Sequence, residues 1–274
     1  MDTLPSLAVV GAGSMGGAIL RGLVAAGIDP SRIAVSTRSG ASAADWRRAG
    51  VRAFSLEEDP SANVAAVHDA GVVLLGVKPA MVPETLSGIA GALDPVAVVV
   101  SIAAGVTTAS MEAIVTNPVV RAMPNTPALV RRAVTGIAAG SRAGAVPLSI
   151  ARRLFEAVGT VIELPEERID ALSAISGSGP ATFAFLTERL TATAVNLGFS
   201  ETDARAMAEQ TLMGTAALLE ASGDAPAELR RKVTSPNGTT ERIIAVLEEA
   251  DLTALFDRAA AAAIARAREL SAGS

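Results

Sequence analysis

The chain has no cysteine and no tyrosine, a single tryptophan and a single histidine, and only 3% aromatic residues in a length of 274. Without cysteine there is no disulfide, thiolate nucleophile or thiolate metal ligand, and no metal site is expected. A core so poor in aromatics has to be packed from Ala, Val, Leu and Ile, and the 50% hydrophobic content supplies them. The length suits one large or two ordinary domains. Long basic blocks are also missing, and the formal charge is −5. That argues against a nucleic-acid partner, whose phosphates call for clustered Lys and Arg. No apolar run approaches the roughly 18 residues of a membrane span, and the alanine-rich run 259–265, closed off by Arg258 and Arg266, reads as a packed helix. No membrane association is expected. The stretch before Gly11 lacks the basic flank and apolar run of a signal peptide, which leaves the cytoplasm as the default location.

What is present is rhythm. Over residues 1–164, short β-branched runs at 7–10, 33–36, 51–54, 72–77, 96–101 and 119–123 alternate with helical stretches at 17–26, 43–49 and 83–92. The runs are almost continuously apolar, as strands buried on both faces should be. Later strands at 134–139 and 159–164 flank a helix near 148–157. The βαβ order predicts an α/β domain with a doubly wound parallel sheet of the Rossmann type. From 165 to 274 the strand signal stops, and helices are predicted at 166–174, 180–196, 201–222, 225–232, 240–249 and 252–270. The segments 180–196 and 201–222 are apolar around most of their circumference, more than a small helical domain can bury alone. A homodimer through the helical domain is therefore expected.

Gly11, Ala12, Gly13, Ser14, Met15 and Gly16 follow the first strand and open the first helix. Glycines there permit a tight turn and close approach of a pyrophosphate, and the helix start offers unpaired N–H groups. The pattern alone is weak; its βαβ context makes it a dinucleotide cradle. NAD sites usually carry an acid at the end of the second strand for the ribose 2′-hydroxyl. Here the strand ends Ser36, Thr37, Arg38, Ser39. Hydroxyls and a guanidinium suit a 2′-phosphate, which favours NADP, with NADPH preferred and NADH possible; Arg38 as a solvated loop cation is the plain alternative. Gly76, Val77, Lys78 and Pro79 close the fourth strand at the edge that should face the cofactor, although Lys78 also reads as an ordinary surface lysine.

Three polar turns remain. Residues 233–240 read VTSPNGTT, where Pro236, Asn237 and Gly238 impose a turn and Thr239 and Thr240 open a helix. Free N–H groups and hydroxyls there would hold a carboxylate, and the same threonines also serve as an ordinary N-cap. Residues 176–180, SGSGP, form a small-residue loop before a helix, read equally as a ligand contact or a close-packed entry. Residues 121–128, RAMPNTPA, place Asn125 and Thr126 between two prolines at a strand end. His68 reads as a surface or capping residue, so no His, Tyr or Cys offers a proton. A carbonyl reductase needs a donor for the developing alkoxide, whereas an iminium arrives protonated and needs only hydride and orientation.

Taken together, GAGSMG at 11–16, GVKP at 76–79, AAGV at 103–106, RAMPNTPA at 121–128, SGSGPA at 176–181 and VTSPNGTT at 233–240 resemble the pyrroline-5-carboxylate reductase family. The resemblance implies a Rossmann domain, a helical domain that dimerises, and dimers assembled into rings, with a decamer of five dimers as one form. It implies reduction of the imino acid 1-pyrroline-5-carboxylate to L-proline with NAD(P)H. Gly11 to Gly16 would cradle the pyrophosphate; Ser36, Arg38 and Asn63 would lie at the adenosine end. Gly76, Val77, Lys78 and Pro79 would line the cofactor, and Ala104 and Asn125 the nicotinamide. Ser235, Asn237, Gly238, Thr239 and Thr240 would bind substrate, with the Thr240 hydroxyl on the ring nitrogen as the catalytic contact. One departure stands out: the family usually has glycine where this chain has Asn237, and Asn is among the residues that tolerate a positive φ.

Two rivals are weaker. A β-hydroxyacid dehydrogenase shares the glycine turn but is expected to carry a lysine on a long helix of the second domain, and Lys232 is the only lysine after Lys78. An NADP-binding regulatory protein would have no use for both the 176–181 and 233–240 motifs.

Overall fold

The computed structural model describes residues 4–272. Strand and helix alternate first: β1 (Leu7–Val10), α1 (Ser14–Ala25), β2 (Ile33–Thr37), α2 (Gly40–Arg48), β3 (Arg52–Ser55), α3 (Ala62–Val67), β4 (Val72–Leu75) and α4 (Val82–Ile89). Then come β5 (Val98–Ser101), α5 (Thr108–Glu112), β6 (Val119–Met123), β7 (Ala133–Ala139), α6 (Ala145–Glu156) and β8 (Gly159–Glu163). The rest is helical: α7 (Ile169–Leu172), α8 (Gly179–Asn196), α9 (Glu201–Ser222), α10 (Pro226–Lys232), α11 (Thr239–Glu249) and α12 (Leu252–Ala272).

The strands form one eight-stranded sheet in the order β3-β2-β1-β4-β5-β6-β7-β8. β1 to β6 are mutually parallel, with Leu7 opposite both Ile33 and Val72. β7 runs antiparallel to β6, and β8 is parallel to β7. The expected doubly wound parallel sheet is present from β1 to β6, and the direction reverses only at its far edge. A parallel return needs a crossover of about a dozen residues or more, and between β6 and β7 the chain holds only a 3-10 turn, Thr126–Val130.

Alternation along each strand divides the core. Leu7 and Val9 join one apolar cluster, Ala8 and Val10 another; Val72 and Leu74 separate in the same way from Val73 and Leu75. Successive strand side chains point to opposite faces, so both faces of the sheet are covered. Leu20 of α1, Trp46 of α2 and Phe155 of α6 seal the first, and Val67, Leu86 and Met111 of α3, α4 and α5 the second. This double burial produces the unbroken apolar runs in the sequence.

The chain divides into two compact units, one running to Ser178 and including the end of α12 from Ala263, the other comprising Gly179–Ala262. Side chains hold 166–178, just past the expected 164/165 division, to the first unit. Arg121 on β6 lies 3.4 Å from Glu166 and 2.9 Å from Asp170, and Asn125 Nδ2 donates to the Ser176 carbonyl at 2.9 Å. The 176–180 segment is not the open loop expected. Ser173–Gly177 is a π-helical turn, closed by Ser178 N–H on the Ser173 carbonyl at 3.0 Å, and α8 follows directly.

In the second unit α9 starts on a Ser200 cap and ends at Gly223 with φ 66°. Along α8, Phe183, Leu186 and Leu190 lie on one face and are 59%, 41% and 61% exposed. Among the described residues of this unit, only Ala194, Ala204 and Ala208 are buried apolar positions. No helix of the described residues is long and apolar enough to cross a membrane.

Phe155 has no exposed surface, so Phe155→Ala should cost about 3–5 kcal/mol of stability. Urea unfolding monitored by circular dichroism checks this; a midpoint equal to wild type would mean the α6 face is not load-sharing in the core.

Candidate functional site

Every cofactor candidate sits at or beyond the carboxyl end of a parallel strand. Residues 11–16 follow β1, Ser36 and Arg38 close β2, Asn63 opens α3 after β3, residues 76–79 follow β4, Ala104 follows β5 and Asn125 follows β6. In an open α/β sheet that edge is where ligands bind, at the point where the strand order turns back between β1 and β4.

The three motif glycines have separate duties. Gly11 has φ +86°, and a Cβ on it would stand 2.7 Å from Val77 Cγ1 and 2.9 Å from Val77 N. A Cβ on Gly16 would meet the Gly11 carbonyl at 2.8 Å, and one on Gly76 would meet the same oxygen at 2.5 Å. A Cβ on Gly13 would meet no atom beyond its chain neighbours and its own helix within 4 Å. Gly11, Gly16 and Gly76 therefore close the turn onto β4, while Gly13 leaves the backbone open on its outer side. Gly13 is also the N-cap of α1, with no side-chain cap and no acid in the first turn. The exposed Ser14 and half-buried Met15 thus begin a helix whose first amides and positive end are available to an anion. The site accepts a pyrophosphate on donor chemistry and on space.

The end of β2 is tightly tied. The Ser36 carbonyl accepts from Gly11 N–H at 3.1 Å and Ala12 N–H at 3.3 Å, so β2 shapes the cradle through its backbone. The Ser36 side chain is 1% exposed and its hydroxyl has no hydrogen-bond partner among the described residues. Ser36 thus stands at the edge expected of the adenosine end, with its carbonyl on the cradle and its hydroxyl buried. Thr37 Oγ1 donates to the Ser39 carbonyl at 3.0 Å, and Ser39 caps α2 by accepting from Ser42 N–H. Arg38 is exposed; β2 itself ends without an acid, and Glu57, whose N–H donates to the Arg38 carbonyl at 3.1 Å, has its carboxylate engaged by Gly40 N–H at 3.0 Å. Lys78 is exposed too, and Pro79 takes the first position of the 3-10 turn Pro79–Met81.

Asn125 is 7% exposed. Besides donating to Ser176, its Oδ1 accepts from Val134 N–H at 2.9 Å. Its carboxamide thus binds the β6–β7 connection to the π turn. Sequence reasoning missed the buried Arg121 and its two acids. A single charge inside an apolar strand was the available signal, since a buried guanidinium requires partners.

In the second unit, Asn237 has φ 58°, the left-handed conformation glycine would also supply. Gly238 N–H donates to the Ser235 carbonyl at 3.0 Å, and Glu241 Oε2 accepts from Asn237 N–H at 2.9 Å. Gly238 is the N-cap of α11, without a side-chain cap, so α11 begins at Thr239, slightly earlier than expected. Thr239 is exposed and Thr240 half-buried in its first turn. The contact from Glu241 is a capping-box variant whose spacing is visible in the sequence. His68 is exposed and pairs with Asp69.

An uncovered glycine turn on a doubly wound sheet, with a cation and no acid ending β2, defines a nicotinamide-dinucleotide oxidoreductase. The family model described as NADP oxidoreductase, coenzyme F420-dependent, matches residues 6–105, and the model for pyrroline-5-carboxylate reductase dimerisation matches 166–270. The pyrroline-5-carboxylate reductase of Pseudomonas aeruginosa is 41% identical over 270 residues, covering 97% of each chain. That of Corynebacterium melassecola is 40% identical over 273 residues, 97% of this chain and 99% of its own. The solved pyrroline-5-carboxylate reductase of Coxiella burnetii superimposes with a TM-score of 0.91 at 36% identity, over 98% of this chain and 99% of that one. The chain belongs to the pyrroline-5-carboxylate reductase family and carries its dimerisation domain.

The separate duties of the glycines are testable. Gly13→Ala should keep the melting temperature and weaken NADPH about tenfold or more, because its methyl group intrudes only on the ligand side. Gly76→Ala should instead lower the melting temperature. Calorimetry and NADPH titration of both variants decide it, and identical behaviour of the two would contradict the assignment.

Proposed function

We propose that the protein, as a cytoplasmic homodimer, reduces 1-pyrroline-5-carboxylate to L-proline with NADPH, the closing step of proline biosynthesis. The observation that carries this reading is the 235–240 turn: a left-handed Asn237 leading into an uncapped start of α11 at Gly238. The first amides of α11 offer a carboxylate two donors and the positive end of a helix. Ser235, Asn237 and Gly238 set the turn, with the Gly238 N–H closing it on the Ser235 carbonyl; the free N–H groups of α11 from Thr239 onward hold the carboxylate, and the Thr240 hydroxyl bonds the ring nitrogen.

NADPH, when bound, supplies the hydride. On the protein side, Gly11 to Gly16 hold the pyrophosphate and Arg38 the 2′-phosphate. Asn63 and Gly76 to Pro79 flank the cofactor, and Ala104 and the Asn125 loop border the nicotinamide. The imine nitrogen enters protonated, one hydride adds to the imine carbon, and the C=N bond becomes the C–N bond of proline. No side-chain acid is required, in keeping with a sequence without Tyr or Cys whose one histidine is exposed. The protein's contribution is orientation, which alone is worth several orders of magnitude in rate.

The exposed face of α8 supports the dimer through the helical domain, and five such dimers forming a decamer is the assembly we propose beyond it. The β-hydroxyacid alternative loses its base: Lys232 Nζ lies 2.8 Å from both oxygens of Asp224, and this pairing also holds the Asp224 carboxyl below its usual range.

The deciding assay is NADPH oxidation with pyrroline-5-carboxylate, with pyrroline-2-carboxylate and NADH as comparisons; no turnover with any of them would end the proposal. Thr240→Ala should lower kcat on the order of a hundredfold while NADPH binding stays intact, and unchanged turnover would remove Thr240 from the mechanism. Arg38→Ala should weaken NADPH by about ten- to a hundredfold, the value of a charge-assisted bond, and NADH far less; equal loss for both would defeat the 2′-phosphate role. Phe183→Glu with Leu190→Glu should convert the dimer to monomer in light scattering, and a persisting dimer would place the interface elsewhere.

A further inference from the structure

We propose that Glu166 and Thr108 act as positioning residues for the nicotinamide end of the cofactor site, through the 102–107 loop. The inference rests on the reading above that Ala104 borders the nicotinamide.

The loop is tied down at both ends. At its start, Ser101 is fully buried and its Oγ accepts from Ala103 N–H at 3.2 Å, while Ile102 N–H donates to the Leu75 carbonyl at 3.1 Å. In the middle Gly105 turns with φ +79° and Val106 packs into the core. Exposed positions are left only at Ala104 and Thr107.

At the far end the loop runs into α5, a helix of five residues capped by Thr107, whose Oγ1 accepts from Ser110 N–H at 3.2 Å. So short a helix gains from a further tie, and an outside carboxylate supplies one. Thr108 N–H donates to Glu166 Oε1 at 2.8 Å and Thr108 Oγ1 to Glu166 Oε2 at 2.6 Å. The same carboxylate faces Arg121 at 3.4 Å, and Arg121 stands opposite Ser101 in the β5–β6 register. Both anchors of the loop therefore converge on one place in the sheet. Arg121 keeps a second partner, Asp170 at 2.9 Å. Loss of the Glu166 charge thus leaves the guanidinium paired while the loop loses its anchor.

The test compares binding of NADPH with binding of 2′-phospho-ADP-ribose, which lacks the nicotinamide. Thr108→Val keeps the shape and the amide but removes the hydroxyl. It should raise the Kd of NADPH about tenfold, the equivalent of one charge-assisted hydrogen bond, and leave the fragment's Kd unchanged. Thr108→Ser, which retains the hydroxyl, should bind both ligands like wild type. Glu166→Gln should show the same split as Thr108→Val and provides the reading if the valine variant does not fold. Equal weakening of both ligands, or no weakening of either, overturns the proposal. A wild-type protein that binds NADPH yet leaves pyrroline-5-carboxylate unreduced would refute the functional reading, and the two affinities would still decide this one.

Discussion

The turn after β1 can lie against β4 only because neither Gly11 nor Gly76 carries a side chain. A single methyl on Gly76 would press to 2.5 Å from the Gly11 carbonyl, and one on Gly11 would collide with the Val77 backbone and side chain. That contact sits between β1 and β4, where the strand order reverses. It fixes where α1 begins, and so where its free amides point. The bond from Gly76 N–H to the Val10 carbonyl at 2.8 Å and the paired bonds from Gly11 and Ala12 to Ser36 make the cradle rigid before any ligand arrives. A preformed anion site of this kind loses little entropy on binding.

The two units solve different problems. The first builds an apolar cluster on each face of its sheet. The second exposes Phe183, Leu190 and Met213 by more than half and has few buried residues of its own, as fits a domain completed by a second copy. Polar detail is concentrated at the boundaries of elements: the Asn125 loop, the π turn at Ser173–Gly177 and the left-handed turn at Asn237. π turns inside helices are frequent at functional places, and here the turn receives the Asn125 carboxamide.

Much of this could be read from the sequence, for identifiable reasons. Strands buried on both faces advertise themselves as apolar runs, so β1 and β6 appear at their predicted limits, and α9, with its Ser200 cap and Gly223 stop, does as well. The glycine motif carried its context with it, and a positive φ at Asn237 was foreseeable from the residue type. What escaped was set by tertiary geometry. The direction of β7 depended on the length of a connection rather than on its own residues. The 166–174 segment reads as plain helix, and its attachment to the first unit lies in Glu166 and Asp170, which pair with Arg121 from 45 and 49 residues away in sequence. The charge at Arg121 was visible; its partners were not.

A crystal structure of the protein with NADP and L-proline tests the central claim most directly. The account predicts pyrophosphate oxygens within hydrogen-bonding distance of the α1 amides above Gly13, the 2′-phosphate against Arg38, and the proline carboxylate on the first free amides of α11 from Thr239 onward. A dinucleotide bound away from Gly13, or a carboxylate held anywhere other than the 235–240 turn of some subunit, would contradict it.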